Sequence, residues 1–303
     1  MKLNELFQTG TKILIENGFD QQTAVKDAKN LLTYVMRFND AMFLKHKNSD
    51  VNITQQNNYI NILKEHANGK PPEYITHNVD FFAYNFFVNE STLIPRVDSE
   101  IVVECAVKYI QNNKNFFKEK QKNNIKIKIL DACCGSGCLG LSFVKTILDK
   151  NIVNNDIELT FIDISSMAMQ VAKINSQKLN LDKQISIKYL ISDILINNLG
   201  NEIYDIILCN PPYIESDTIE KLDKSVKEFE PHLALDGGID GLKFYKSISA
   251  ILHKNMSASS VAFFEIGYNQ ATKATEIFAS KNFIVDVKKD YGNNDRCLII
   301  KTI

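Results

Sequence analysis

The chain lacks an excess of charge of either sign, and it lacks long hydrophobic runs. Its 303 residues include 35 lysines and arginines against 36 aspartates and glutamates, a formal net charge of −1. No strong overall field therefore attracts it to nucleic acid or to a lipid surface, and we expect neither as a partner. No apolar run reaches roughly 18 residues, so no membrane span is predicted. The first residues lack the apolar core of a signal peptide, and we expect a cytoplasmic protein and a monomer.

Metal-ligand spacing is also missing. The six cysteines include Cys133, Cys134 and Cys138, which surround a glycine turn, and Cys209, which precedes an Asn-Pro-Pro sequence. Adjacent cysteines followed by a third four residues later do not match the cysteine pairs of zinc sites. We therefore predict no metal and interpret these side chains as small packing residues in a reducing compartment.

Acidic residues end three predicted strands. Alternating isoleucines lead to Asp131, the apolar run 159–162 leads to Asp163, and a third strand over 185–191 is followed by Asp193. An acid at the end of the second strand can accept hydrogen bonds from both hydroxyls of a ribose. Asp193 can accept from an adenine amino group. The competing interpretation is an α/β domain whose acids only cap helices.

A glycine turn follows the first of these strands and leads into an apolar helix. Gly135 and Gly137 keep the turn tight and allow a ligand to approach the backbone. No Gly-Lys-Ser/Thr sequence follows, and Asp131 disfavours a pyrophosphate and favours a cation. S-adenosylmethionine is a cation with an amino-acid tail, an adenosine and no phosphate, and we predict it as the cofactor. The residues predicted to bind it are Asp131, Cys133, Cys134, Gly135, Ser136, Gly137, Asp163, Ile164, Asp193, Ile194 and Asn210.

Asn210-Pro211-Pro212-Tyr213 follows a fourth apolar strand and is the most specific motif of the chain. The prolines fix the backbone and leave nearby carbonyls outside the sheet. The loop thus presents an amide, free carbonyl oxygens and an aromatic face, which suit a planar group bearing –NH2. This motif resembles the signature of methyltransferases that act on a planar nitrogen. We predict that these four residues are catalytic and bind the substrate.

Other stretches resemble the release factor glutamine N5-methyltransferases of the HemK type over nearly the whole chain. The most specific are Ile94-Pro95-Arg96 and Glu230-Pro231-His232-Leu233-Ala234-Leu235. The resemblance implies a Rossmann-like class I methyltransferase domain and Arg96 as a further substrate-binding residue. It also implies class 1 peptide chain release factors as protein substrates, methylated on the glutamine of Gly-Gly-Gln, with S-adenosylhomocysteine as the second product. The family usually has glycine at Cys133 and proline at Val97, two departures that put affinity in doubt more than activity.

The chain divides into three predicted parts. Residues 1–78 show helical periodicity and predict a bundle that recognises the substrate, with Thr54 as the cap of its third helix. Residues 79–94 alternate aromatic and turn residues and predict a linking hairpin. Residues 95–303 form the predicted methyltransferase domain, in which 111–124, rich in lysine and asparagine, is expected to be a solvated connection.

Two other functions remain open from the residues alone. An adenine or guanine N-methyltransferase would hold a flipped base against the same Asn210-Pro211-Pro212-Tyr213 loop. The second function is that of a regulatory domain that binds the cofactor without catalysis. The intact Asn210-Pro211-Pro212-Tyr213 argues against it.

Overall fold

The computed structural model describes residues 1–196 and 202–303, and these divide into two units. The first unit comprises Met1–Asn78 together with Asp223–Phe229, and the second comprises Val79–Leu222 and Glu230–Ile303. The predicted hairpin belongs to the second unit. The short segment 223–229 belongs to the first unit, although its neighbours on both sides in the sequence belong to the second. No helix among the described residues is long and apolar enough to cross a membrane.

Amphipathic helices form the first unit. Their apolar faces bury Leu6, Leu14, Leu31 and Tyr59 in one core. Asn52, not Thr54, caps the fourth helix, because its Oδ1 accepts from the Gln55 amide at 2.8 Å. The helices are α1 (Leu3–Glu16), α2 (Gln21–Met36), α3 (Asp40–His46), α4 (Ile53–Ala67) and α5 (Pro72–Thr76).

A two-stranded hairpin opens the second unit. Strand β1 (Val79–Phe81) pairs antiparallel with β2 (Tyr84–Phe86), as the aromatic alternation predicts. Phe82 and Ala83 turn the chain with φ of 50° and 64°, the left-handed values that a tight two-residue hairpin turn needs.

A seven-stranded sheet is the centre of the second unit. Its order is β5-β4-β3-β6-β7-β9-β8, with β9 antiparallel to both of its neighbours and the other pairs parallel. Strand order reverses between β3 and β6, which places a ligand crevice at their carboxyl ends. The strands are β3 (Ile127–Ala132), β4 (Ile157–Asp163), β5 (Ser186–Ile191), β6 (Tyr204–Cys209), β7 (Met256–Glu265), β8 (Phe283–Lys289) and β9 (Asp295–Thr302).

Helices cover both faces of this sheet, so two apolar cores form. One contains Phe143 and Phe263, and the other contains Tyr245 and Phe278. The predicted α/β fold with a Rossmann-like domain is confirmed. The remaining helices are α6 (Glu100–Asn112), α7 (Lys114–Lys122), α8 (Cys138–Asp149), α9 (Ser166–Lys178), α10 (Ser216–Ile219), α11 (Lys224–Lys227, in the first unit), α12 (Lys243–Ile251) and α13 (Ala271–Ala279), with 3-10 turns at Val97–Ser99, His232–Ala234 and Leu252–Lys254.

The segment 111–124, predicted to be a solvated connection, is mostly exposed but largely helical. Helix α7 occupies most of it and buries Phe117 and Gln121. Gln121 Nε2 donates to the Asn154 carbonyl at 3.1 Å, and Lys120 forms an ion pair with Asp205. Most of its lysines and asparagines are exposed, so the composition of the segment gives no sign of the two residues that pack against the domain.

Candidate active site

A cavity of about 360 Å³ lies within the second unit, among the loops that follow β3, β4, β5 and β6. Most of the predicted site residues meet there because the parallel strands end at one edge. Those that line it are Cys133, Cys134, Gly135, Ser136, Asp163, Ile164, Asp193, Ile194, Asn210 and Pro212. The other predicted residues, all of which the structure describes, do not line it: Asp131, Gly137, Pro211, Tyr213 and Arg96.

The turn after β3 needs its unusual backbone. Gly135 and Gly137 have φ of 52° and 76°, and a Cβ on Gly137 would lie 3.2 Å from Ala172 and 3.3 Å from Phe161. Cys133 adopts φ 55°, a value that glycine tolerates better, and this is where the related family usually has glycine. Gly135 therefore presents its backbone to the cavity, while Gly137 lets the turn pack closely against Ala172 and Phe161.

Asp163 holds this turn in place. Its Oδ2 accepts from the Gly135 amide at 2.8 Å, and its Oδ1 accepts from the Ser165 amide at 2.9 Å. Burial raises the pKa of Asp163, and these backbone donors partly oppose that shift. Each carboxylate oxygen keeps a second lone pair, so the side chain can still accept hydroxyl donors from the cavity.

Asp131 lies behind the turn. Its Oδ2 accepts from the Gly140 amide at 2.8 Å at the start of α8, while its Oδ1 is buried without a hydrogen-bond partner among the described residues. Burial raises the pKa of Asp131 well above its usual range. A direct contact between Asp131 and the cofactor stays a prediction.

The far side of the cavity combines one acid with two isoleucines. Asp193 Oδ1 accepts from the Leu195 amide at 2.8 Å, so this loop is held by its own side chain. Ile164 and Ile194 also line the cavity. Apolar walls beside two carboxylates are suited to an adenosine, whose base is flat and whose ribose and amino group donate hydrogen bonds.

Asn210 reaches the cavity beside Ser99. Its Nδ2 donates to Ser99 Oγ at 3.4 Å, with the residues 111 positions apart in the chain. Ser99 is buried and also lines the cavity. With Nδ2 engaged in this way, Oδ1 remains available to a ligand.

Tyr213 does not line the cavity. Its hydroxyl donates to Glu265 Oε1 at 3.1 Å, and its carbonyl accepts from Gln270 Nε2 at 2.8 Å. Burial and the neighbouring Glu265 raise the pKa of the Tyr213 hydroxyl. The ring is therefore tied to the sheet below the motif, and stacking of Tyr213 on the substrate stays a prediction.

Arg96 joins two segments at the rim. Its guanidinium forms an ion pair with Glu230, whose Oε2 also accepts from the Ile94 amide at 3.3 Å. The two stretches that carry the family resemblance, 94–96 and 230–235, are thus linked directly. Substrate binding by Arg96 stays a prediction.

Several residues of this region were not predicted from the sequence. Ser99, His232, Leu233, Asp236 and Phe244 line the cavity. Glu265, 1 % exposed at the end of β7, accepts from the Tyr213 hydroxyl. No spacing rule connects these positions to Asn210, so only the fold brings them together.

Three cysteines of this region, Cys134, Cys138 and Cys209, are held as thiols. Burial is the main cause in each case, raising the pKa of Cys138 to about 12 and the pKa values of Cys134 and Cys209 well above the usual range. Nearby carboxylates, including Asp131, raise them further.

The sheet order and the ligand crevice at its switch point are those of a class I methyltransferase. The methyltransferase small domain family matches residues 108–239. A solved structure of the hMettl16 catalytic domain in complex with MAT2A 3'UTR hairpin 6 has a similar fold, with a TM-score of 0.53 and 16% identity. That similarity covers 73% of this chain and 76% of the other.

Other proteins are more similar to this chain in sequence than that solved structure is. A release factor glutamine methyltransferase of Clostridium acetobutylicum is 33% identical over 99% of this chain and 98% of its own length. One from Clostridium botulinum is 34% identical over 90% of each chain. The chain belongs to the release factor glutamine methyltransferase family, which confirms the resemblance predicted from its motifs.

Proposed function

We propose that this chain transfers a methyl group from S-adenosylmethionine to the side-chain amide nitrogen of a glutamine. The substrate is the glutamine of the Gly-Gly-Gln motif in class 1 peptide chain release factors, the activity for which its relatives are named. The observation that carries this proposal is Asn210, which lines the cavity with Nδ2 toward Ser99 and Oδ1 free to accept an amide hydrogen.

The residues of the cavity fit the cofactor. Asp163 would hold the ribose hydroxyls with its remaining lone pairs, and Asp193 would accept from the adenine amino group. Ile164 and Ile194 would enclose the base, and the turn 133–137 would pass along the amino-acid tail. When bound, S-adenosylmethionine supplies a methyl group on a sulfonium, which is a good electrophile.

The chain's own contribution is to align a poor nucleophile. The lone pair of an amide nitrogen is delocalised into its carbonyl. Asn210 Oδ1 accepts one amide hydrogen in the cavity, and the carbonyl of the adjacent Pro211, a residue that does not itself line the cavity, is proposed to accept the other. The two bonds fix the amide plane and make the nitrogen more electron-rich. Alignment of this kind can contribute up to about 7–11 kcal/mol. The nitrogen is cationic after transfer and acidic enough to lose its proton without a dedicated base.

The first unit is proposed to select the protein substrate. A cell contains many glutamines, and one amide slot cannot distinguish among them. Contacts remote from the reacting nitrogen provide orientation for the correct substrate. We propose that the helices α1–α5 supply such contacts, and that the enzyme acts as a monomer in the cytoplasm.

A direct assay tests the proposed function. The full chain is incubated with methyl-labelled S-adenosylmethionine and, in separate reactions, with purified release factor and with total RNA. We expect label in release factor, at the glutamine of Gly-Gly-Gln by peptide mass spectrometry. A release factor with Gly-Gly-Ala is the matched control and should stay unlabelled. Label in RNA alone would identify a base methyltransferase and overturn the proposal.

A further inference from the structure

The substrate loop, Asn210-Pro211-Pro212-Tyr213, is held at its far end by a buried side chain. Strand β6 ends at Cys209, and the donor to the Tyr213 carbonyl is Gln270 Nε2, at 2.8 Å and 57 positions further along the chain. Gln270 is 7 % exposed and lies at the start of α13. A side-chain amide therefore satisfies a carbonyl that has left the sheet.

Three backbone segments use the whole amide of Gln270. Its Nε2 also donates to the Gly241 carbonyl at 3.2 Å, and its Oε1 accepts from the Gly267 amide at 2.9 Å. A backbone carbonyl only accepts and a backbone amide only donates, so these partners fix which end of the side chain is nitrogen. Gln270 thus joins the substrate loop, the segment before α12 and the turn after β7 in a single orientation.

Glycines allow the segment 235–241 to contact the substrate loop directly. A Cβ on Gly241 would lie 2.4 Å from the Tyr213 carbonyl oxygen and 2.5 Å from Gln270 Nε2. A Cβ on Gly237 would lie 2.7 Å from Tyr213 Cα. No side chain fits between the two segments, so their separation is set by backbone contact and by the bonds of Gln270.

Both segments lead to the cavity. The Ile214 amide, just after the substrate loop, donates to the Leu235 carbonyl at 3.0 Å. Asn210 and Pro212 line the cavity from the loop, and Asp236 lines it from the other segment. The position of Asn210 relative to this wall therefore depends on how the two segments are held together.

We propose that Gln270 is a positioning residue for methyl transfer. Its buried amide keeps the substrate loop and the segment 235–241 in one arrangement, so that an incoming substrate amide meets Asn210 already in place. Gln270 itself does not line the cavity and acts through the loop. The inference rests on the proposed function, because it concerns alignment of the substrate by Asn210. Its alternative is that Gln270 contributes only to the stability of the fold.

Two substitutions of Gln270 and one control on the same helix test this. Gln270→Glu keeps the shape and an acceptor for the Gly267 amide but loses both donors. Gln270→Met keeps the length and loses all three hydrogen bonds. Ala274→Gly is the matched control, because Ala274 is buried in α13 and glycine lowers helix stability without removing a hydrogen bond of Gln270.

Turnover is measured on full-length chains with labelled S-adenosylmethionine and intact release factor, both at saturating concentration. Gln270→Glu and Gln270→Met should each lower turnover by about tenfold, the effect of lost hydrogen bonds. Affinity for S-adenosylmethionine, from calorimetry, should stay within about threefold. Ala274→Gly should lower the unfolding temperature and keep turnover within about twofold.

A combination with Asn210→Ala separates positioning from stability. Once the acceptor that Gln270 positions has been removed, Gln270→Glu should lower the remaining turnover by less than about twofold. A purely structural role would give the same tenfold loss in both backgrounds.

Two results would overturn the inference. One is folded Gln270→Glu with turnover within about twofold of wild type. The other is a loss that is equally large with and without Asn210. If Gln270→Glu does not fold, Gln270→Met is held to the same two criteria. Failure of the proposed function would instead be visible in the wild type, as absence of release factor methylation.

Discussion

The Gly135 amide donates to Asp163 Oδ2 over 2.8 Å, which ties the turn after β3 to the end of β4. One carboxylate therefore shapes the glycine turn and faces the cavity at the same time. Substitutions of Asp163 can therefore separate two effects. One is the loss of a negative charge toward the cofactor, and the other is the loss of the hydrogen bond that holds the turn.

Replacing Asp163 should weaken S-adenosylmethionine binding. Asp163→Ala removes both the backbone bonds and the acceptors for the ribose, and we expect a loss on the order of 1.5–3 kcal/mol, as for hydrogen bonds to a charged group. Asp163→Asn is the matched control, because its oxygen can still accept from one backbone amide. It should show a smaller loss in calorimetric titration. Unchanged affinity in folded Asp163→Ala would contradict the assignment.

Replacing Asn210 should affect turnover more than cofactor binding. Asn210→Ala removes the acceptor that aligns the substrate amide while Asp163 and Asp193 remain. We expect turnover on release factor to fall on the order of 10²-fold, the effect of a misplaced nucleophile. Affinity for S-adenosylmethionine, measured on the same preparation, is the control and should stay within a few-fold. Methylation at a near wild-type rate would show that Asn210 does not align the substrate.

Removing the first helical segment should separate cofactor binding from substrate selection. A chain that begins at Asp80 keeps the sheet and every residue that lines the cavity. We expect it to bind S-adenosylmethionine but to methylate intact release factor poorly. Because 223–229 belongs to the first unit, circular dichroism and thermal unfolding must first show that the shortened chain folds. A folded shortened chain that is as active as the full chain would show that all specificity for the protein substrate lies in the cavity around Asn210 and the residues beside it.

Stability should fall as pH rises, in part because of Asp131. Its pKa is raised in the folded protein by burial, so the native state keeps this proton at pH values where the unfolded chain has lost it. From about pH 4 up to the folded pKa, the native state binds more protons, and the free energy of unfolding decreases by up to about 1.4 kcal/mol per pH unit. Asp131→Asn keeps an acceptor for the Gly140 amide and removes this titration. Urea unfolding at several pH values should give a flatter pH dependence for the variant, and an identical slope would count against the argument.

Local patterns predicted the central parallel strands, because a buried parallel strand is a run of apolar residues that ends at a polar residue. Asp131, Asp163 and the Asn210 motif each stand at such an end, and the cavity forms between their loops. The glycines alone were less informative. Gly135, Gly137 and Gly140 have the spacing of a dinucleotide-binding turn, whereas Asp131 before them and the missing Gly-Lys-Ser/Thr sequence pointed to a ligand without phosphate.

Contacts between distant segments could not be predicted from one sequence. Ser99 and Asn210 meet across 111 positions, and Tyr213 turns its hydroxyl to Glu265 across 52. Helix α7 was missed for a related reason, since Phe117 is buried only by tertiary packing. In each case the residue that is contacted lies on another element, so the periodicity within one segment cannot predict the contact.

The sulfur-rich surroundings of the cavity have a consequence for chemical selectivity. Thiolates attack sulfonium methyl groups readily, whereas thiols are weak nucleophiles. Because Cys134, Cys138 and Cys209 remain protonated at neutral pH, they do not compete with the far less reactive amide for the methyl group. The burial that packs these three side chains therefore also lowers their reactivity toward the methyl group.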